Sequence, residues 1–215
     1  MKEIMKLKET TGAGIKDCKE ALDACGGNMD KAIAFLREKG KASAAKKQDR
    51  VAAEGNVFVY SHFGRIGVMV EINIETDFAA KSEKFQELGK NIAMQIAASN
   101  PTYLDETMVP KKELDAERDV LRKKAKAEKK PDNIIEKMLE GQVKKYYGEV
   151  CLVHQPYIKD PSKKVSDIVT EAIAQIGEKI SIRRFARFEL GEGIEKKVED
   201  FAEEVKKAGA VTAKK

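Results

Sequence analysis

From Arg65 to Ile74 the chain alternates. Ile66, Val68, Val70, Ile72 and Ile74 fall on one face, and Arg65, Gly67, Met69, Glu71 and Asn73 on the other. A period of two is that of a strand with one buried face. The alternation stops at Glu75. A second spacing then takes over at Phe85, Leu88, Ile92 and Ile96, which fall at i, i+3, i+7 and i+11 and predict a helix over 82–98. The stretch between, Thr76-Asp77-Phe78-Ala79-Ala80, is a strand-to-helix corner, a place where a rigid scaffold presents side chains to a partner. Two readings of the corner stand. In one, Asp77 or Ser82 is a helix N-cap and Phe78 folds back on the core. In the other, Phe78 is offered to a second molecule. Spacing by itself favours the first, because corner aromatics usually pack.

A sheet needs partners for this strand. Val57-Phe58-Val59-Tyr60 supplies one, joined through the turn Ser61-His62-Phe63-Gly64. Residues 180–190 supply another, with Ile180, Ile182, Arg184, Ala186, Phe188 and Leu190 expected on one face. A helix over 165–177 (Ile168, Val169, Ala172, Ile173, Ile176) and the one over 82–98 cover the sheet. The fold class is α+β: a three-stranded antiparallel sheet covered by helices.

Residues 1–40 read as three short helices, broken at Gly12 and Gly14, at Gly26-Gly27, and at Gly40, with Asn28 capping the third. Short helices must pack together, so this is an N-terminal three-helix bundle of the ubiquitin-associated (UBA-like) kind. Residues 41–53 have no apolar face and read as a partly helical linker. The α+β core is expected over 54–190. It carries a helical hairpin insertion over about 105–148, opened by Pro110 and reset at Pro131, that serves either oligomerisation or as a lid. Val150–Val153 and Gln155–Tyr157, with Pro156 and Pro161, suggest a short extended edge. Residues 191–215 are expected to form a C-terminal amphipathic helix, through Ile194, Val198, Phe201 and Val205, and a tail.

Several classes of function are disfavoured. The 41 Lys and Arg against 36 Asp and Glu leave a net charge of +5, closely mixed, so direct nucleic-acid binding is not expected. Cys18, Cys25 and Cys151 form no CxxC pair, which suggests a reducing compartment and no metal site. No apolar run approaches the roughly 18 residues that a membrane span requires, and no signal peptide opens the sequence. A cytoplasmic protein with no membrane association follows as the expectation. His62 and His154 have no HxxH partner, and no nucleophile or phosphate-cradle motif is present. No cofactor and no catalytic residues are assigned, and a binding protein is expected instead of an enzyme. The rival is a ribosome- or RNA-associated protein using the basic linker with Arg183, Arg184 and Arg187. A ubiquitin-type binder built on the N-terminal bundle has no other feature to support it.

The chain resembles the elongation factor Ts family in several separated segments. Leu7–Leu22 (LKETTGAGIKDCKEAL) is similar to its first signature and Glu71–Ala80 (EINIETDFAA) to its second. Glu149–Val165 and Arg183–Leu190 (RRFARFEL) are similar to its C-terminal core. Ile74 and Ala79 stand where the family often has Cys and Val. A single strand–corner–helix unit marks the short form of the family, in which two chains together replace a doubled core. The resemblance implies a nucleotide exchange factor that binds elongation factor Tu, GDP-bound and nucleotide-free, and promotes GDP release by disturbing its Mg²⁺ and phosphate site. It implies that Phe78 is the wedge, that Asp77 fixes the corner, and that Thr76 and Ala79 shape it. Lys8, Ile15 and Lys16 would dock the N-terminal bundle on the same partner, although Ile15 reads equally well as bundle core. A homodimer is expected, giving a two-plus-two complex.

Overall fold

The structure, a computed structural model, describes residues 1–127 and 131–194. The C-terminal helix and tail expected over 191–215 lie, from residue 195 on, outside the described residues.

Three helices open the chain: α1 (Lys2–Thr11), α2 (Ile15–Ala24) and α3 (Met29–Ala45). They close around Leu7, Cys18, Ala21, Leu22 and Ala32. Gly12, left-handed at φ 66°, ends α1, and the Asn28 side chain accepts the Lys31 N–H to cap α3. α3 does not stop at Gly40, as the sequence suggested, but continues to Ala45. A Cβ at Gly40 would lie 3.3 Å from Cβ of Ala174, on the later helix α8 (Val165–Ile176). The glycine permits two helices to approach closely, so here it marks a crossing and not a terminus.

Strands β1 (Glu54–His62), β2 (Ile66–Ile74) and β5 (Ile180–Glu189) form an antiparallel sheet in the order β1-β2-β5. Between β1 and β2 the chain turns at Phe63 and Gly64, both left-handed, and the Arg65 N–H donates to the His62 carbonyl. β2 keeps the expected alternation: Val68, Val70, Ile72 and Ile74 are buried. Helix α5 (Glu83–Ser99) lays Phe85, Leu88, Ile92 and Ile96 on this face, and α8 completes the cover.

β5 departs from the sequence reading. Its pairing with β2 slips between Glu71 and Ile72, which face Arg184 and Ile182, so Arg183 is an extra residue. One inserted residue reverses every side chain beyond it. Ile180 and Ile182 therefore share the inner face with Phe185 and Arg187, while Arg184, Ala186 and Phe188 turn outward.

The insertion is α6 (Lys111–Ala127) packed on α7 (Asp132–Val150) through Leu121, Ala125, Ile135 and Leu139. α7 also packs on a 3₁₀ turn at Leu152–His154. The end of α7 at Val150 and this turn replace the extended segment expected from Val150. Extension begins only at β3 (Pro156–Tyr157), which pairs with β4 (Asp160–Lys164). Two buried amides hold this hairpin to α5. Gln95 donates to the Pro156 carbonyl and accepts the Ile158 N–H at 2.8 Å, and Gln155 donates to the carbonyls of Ser99 and Glu149. Both amides have partners, as burial requires.

Gly89, in the middle of α5, underlies the ring of Phe58, which packs on Phe85 at a centroid distance of 5.7 Å. A Cβ at Gly89 would sit 2.2 Å from that ring. Alanine raises helix propensity by about 1 kcal/mol, but overpacking a clamped ring costs about 1–3 kcal/mol. Gly89→Ala is therefore expected to lower the thermal midpoint by several degrees, read by circular dichroism.

Candidate functional site

The corner is short because both its ends are anchored. Ile74 is buried at the end of β2, and Phe85 is buried in the first turn of α5. Between them lies α4 (Asp77–Ala80), a single turn of four residues. Ala79 and Ala80 face the core and are buried. Their small side chains let the turn sit close on the sheet, and helical geometry then turns Asp77 and Phe78 outward. Phe78 is 84% exposed. The reading in which its ring folds back on the core is overturned.

The capping residue also differs from the sequence reading. Thr76 caps α4, its hydroxyl accepting the Ala79 N–H at 3.2 Å. Asp77 lies inside the turn and pairs with Lys81 at 2.9 Å. That hydrogen bond, together with the lysine charge, holds the Asp77 carboxyl below its ordinary value. Ser82 caps α5, as one of the two alternatives had it.

Two acids brace the corner, one next to it in the sequence and one about a hundred positions later. The Glu75 carboxylate accepts the Lys179 N–H at 2.6 Å and pairs with Arg50. Lys179 Nζ in turn donates to the carbonyls of Gln48 and Arg50. The Glu178 carboxylate accepts both the N–H and the hydroxyl of Thr76. In the sequence, Glu178 and Lys179 are simply polar residues after a helix-ending glycine, about a hundred positions away. No local pattern links them to Thr76.

In the N-terminal bundle, Lys8, Ile15 and Lys16 are exposed, Ile15 to 51%. Ile15 is thus outside the bundle core. The turn before it is tied towards the corner: Lys84, just beyond Ser82, donates to the Gly12 carbonyl, and Gln175 donates to the Thr11 carbonyl. The arginines of the RNA reading are occupied. Arg183 and Arg184 both pair with Glu71 at 2.7 Å, and Arg187 turns inward with a side chain only 9% exposed. Cys18 and Cys151 are buried free thiols. Among the described residues no helix is long and apolar enough to cross a membrane.

Comparison with known proteins gives the family. The family model described as elongation factor TS matches residues 3–192. The chain belongs to the elongation factor Ts family. Elongation factor Ts of Desulfitobacterium hafniense is 56% identical over 206 residues, 95% of this chain and 95% of its own. That of Alkaliphilus oremlandii is 54% identical over 204 residues, covering 95% and 94%, and that of Acetivibrio thermocellus 56% over 205 residues, covering 95% of each. Membership in the elongation factor Ts family places the chain among the translation elongation factors.

The Glu75 carboxyl is held below the ordinary glutamate range, first by the Lys179 N–H and then by Arg50. A carboxyl depressed in the folded state stabilises it above the unfolded value, about 4.3, and that contribution is lost as pH falls through the folded value. Glu75→Gln is therefore expected to be less stable than the parent above about pH 5. The difference should shrink as pH drops below about 4, in thermal melts across a pH series.

Proposed function

We propose that the chain is the nucleotide exchange factor of elongation factor Tu. It binds the GDP-bound form, and Phe78 presses into the region of the Mg²⁺ and phosphate site so that GDP leaves. Asp77 holds the turn through Lys81, Thr76 caps it, and Ala79 seats it on the sheet. The observation that carries this reading is an exposed aromatic on a single helical turn braced on both sides. A folded chain gains nothing internally from such a ring. Burying a ring of this size in a partner is favourable by about 1.5–3 kcal/mol. The exchange requires no chemistry. A factor that prefers the nucleotide-free partner must weaken GDP by the same ratio, since coupling between two ligands is reciprocal. About 1.4 kcal/mol of preference is a tenfold change. Lys8, Ile15 and Lys16 form a second contact, held in place by the tie from Lys84 to Gly12.

We also propose that two copies associate through the outer face of the sheet. Val57, Val59, Met69 and Phe188 are exposed there, Met69 to 51% and Phe188 to 70%. The register sets Val59 opposite Met69 and Met69 opposite Ala186. A contiguous apolar sheet face fits a second copy of itself, packed sheet on sheet. With one elongation factor Tu on each chain the assembly is two-plus-two.

Two measurements test these readings. Phe78→Ala is expected to fold normally and to slow the release of fluorescent GDP from elongation factor Tu by about tenfold or more. Unchanged stimulated release would remove Phe78 from its role. Light scattering at micromolar concentration is expected to give twice the 23.9 kDa chain mass, with Met69→Lys reducing it to one chain. A single-chain mass for the parent would rule out the dimer.

A further inference from the structure

The angle at which Phe78 leaves the surface is set by residues it does not touch. Glu178 spans the corner with both carboxylate oxygens, one accepting the Thr76 N–H at 3.0 Å and the other the Thr76 hydroxyl at 2.9 Å. Because the hydroxyl proton points at Glu178, the lone pairs of that oxygen face the other way, where Thr76 Oγ1 accepts the Ala79 N–H. The three groups form a polarised chain from Glu178 through the Thr76 hydroxyl to the first turn of α4, each bond strengthening the next. α4 has four residues and cannot hold its own geometry. Its cap must be directed from outside.

Glu178 is well placed to direct it. It follows Gly177, whose left-handed φ of 89° ends α8. The next residue, Lys179, bonds to Glu75 and to the carbonyls of Gln48 and Arg50. Glu178 is thus fixed in a backbone tied on both sides, while Thr76, Asp77 and Phe78 are all exposed. We infer that Glu178 is the positioning residue of the exchange corner, orienting the Thr76 cap and through it the ring of Phe78. The inference rests on the proposed role of Phe78 as the wedge. A Glu178 that itself touched the partner would contribute independently of Phe78. A positioning residue contributes only through it, and the two are separable by additivity.

The experiment compares Glu178→Ala, Glu178→Gln, Phe78→Ala and the double variant Phe78→Ala/Glu178→Ala as full-length proteins, following fluorescent GDP released from elongation factor Tu over a range of factor concentrations. Glu178→Ala is expected to lower the maximal stimulated rate by about tenfold, with the half-saturating concentration changed far less, because a misaimed wedge still docks. Glu178→Gln, which keeps an oxygen for the Thr76 N–H, is expected to recover most of the rate. The double variant is expected to be no slower than Phe78→Ala alone. Amide hydrogen exchange at residues 76–80 is expected to quicken in Glu178→Ala, with β2 unchanged. This last measurement does not depend on the partner and keeps the inference testable if a variant loses activity through partial unfolding. A normal maximal rate in Glu178→Ala beside a slow Phe78→Ala would overturn the positioning role alone, as would full additivity in the double variant, a Gln variant as slow as the Ala variant, or unaltered exchange at 76–80. A normal rate in Phe78→Ala would overturn the wedge reading, and the positioning role with it.

Discussion

The burial of β2 against α5 is the constraint on which the rest depends. Val68, Val70, Ile72 and Ile74 meet Phe85, Leu88, Ile92 and Ile96 across one layer. Together these side chains take the inner face of the sheet out of water, a gain of roughly 25 cal/mol per Å² of apolar area. The contact runs to the last residue of the strand and restarts in the first turn of the helix. The residues between have to turn the chain from one layer to the next while both ends stay pinned. Only a tight turn with small residues on its inner side meets that demand, and Ala79 and Ala80 are those residues. Asp77 and Phe78 face outward because the inner positions are taken.

An exposed phenylalanine on a short turn is stable only because its surroundings hold it. The supports come from three places: Thr76 within the turn, Glu178 and Lys179 at the junction of α8 and β5, and Arg50 in the segment leaving the helical bundle. They are hydrogen bonds and ion pairs near the surface, individually worth little to global stability. Their effect is to define direction. The core supplies the free energy of folding, and the polar shell ties the corner in one hydrogen-bonded geometry. The N-terminal bundle is joined to the same framework where α3 crosses α8 at Gly40, so that Ile15 and the corner belong to one packed structure.

Much of the fold was legible because it rests on period. The β2 alternation, the stripe of α5 and the three helices of the bundle are local patterns, and each finds its element. Two departures share a cause. In β5, alternation predicts Phe188 on the face of Ile180 and Ile182, but a bulge at Arg183 turns Phe185 and Arg187 inward and Phe188 outward. At Gly40, the glycine predicts a helix end, but its missing Cβ serves the approach of α8. In both, a contact with a distant segment overrode a sound local rule.

The sequence by itself determined the class of structure, the position of the strand-to-helix corner, and the family, since periodicity and motif are properties of neighbouring residues. Only the tertiary structure decided that Phe78 points outward, that Thr76 is the cap in place of Asp77, and that Glu178 accepts its N–H and hydroxyl. Those outcomes depend on which side of a turn is already filled and on partners about a hundred residues away, and nothing in the spacing of nearby side chains carries that information.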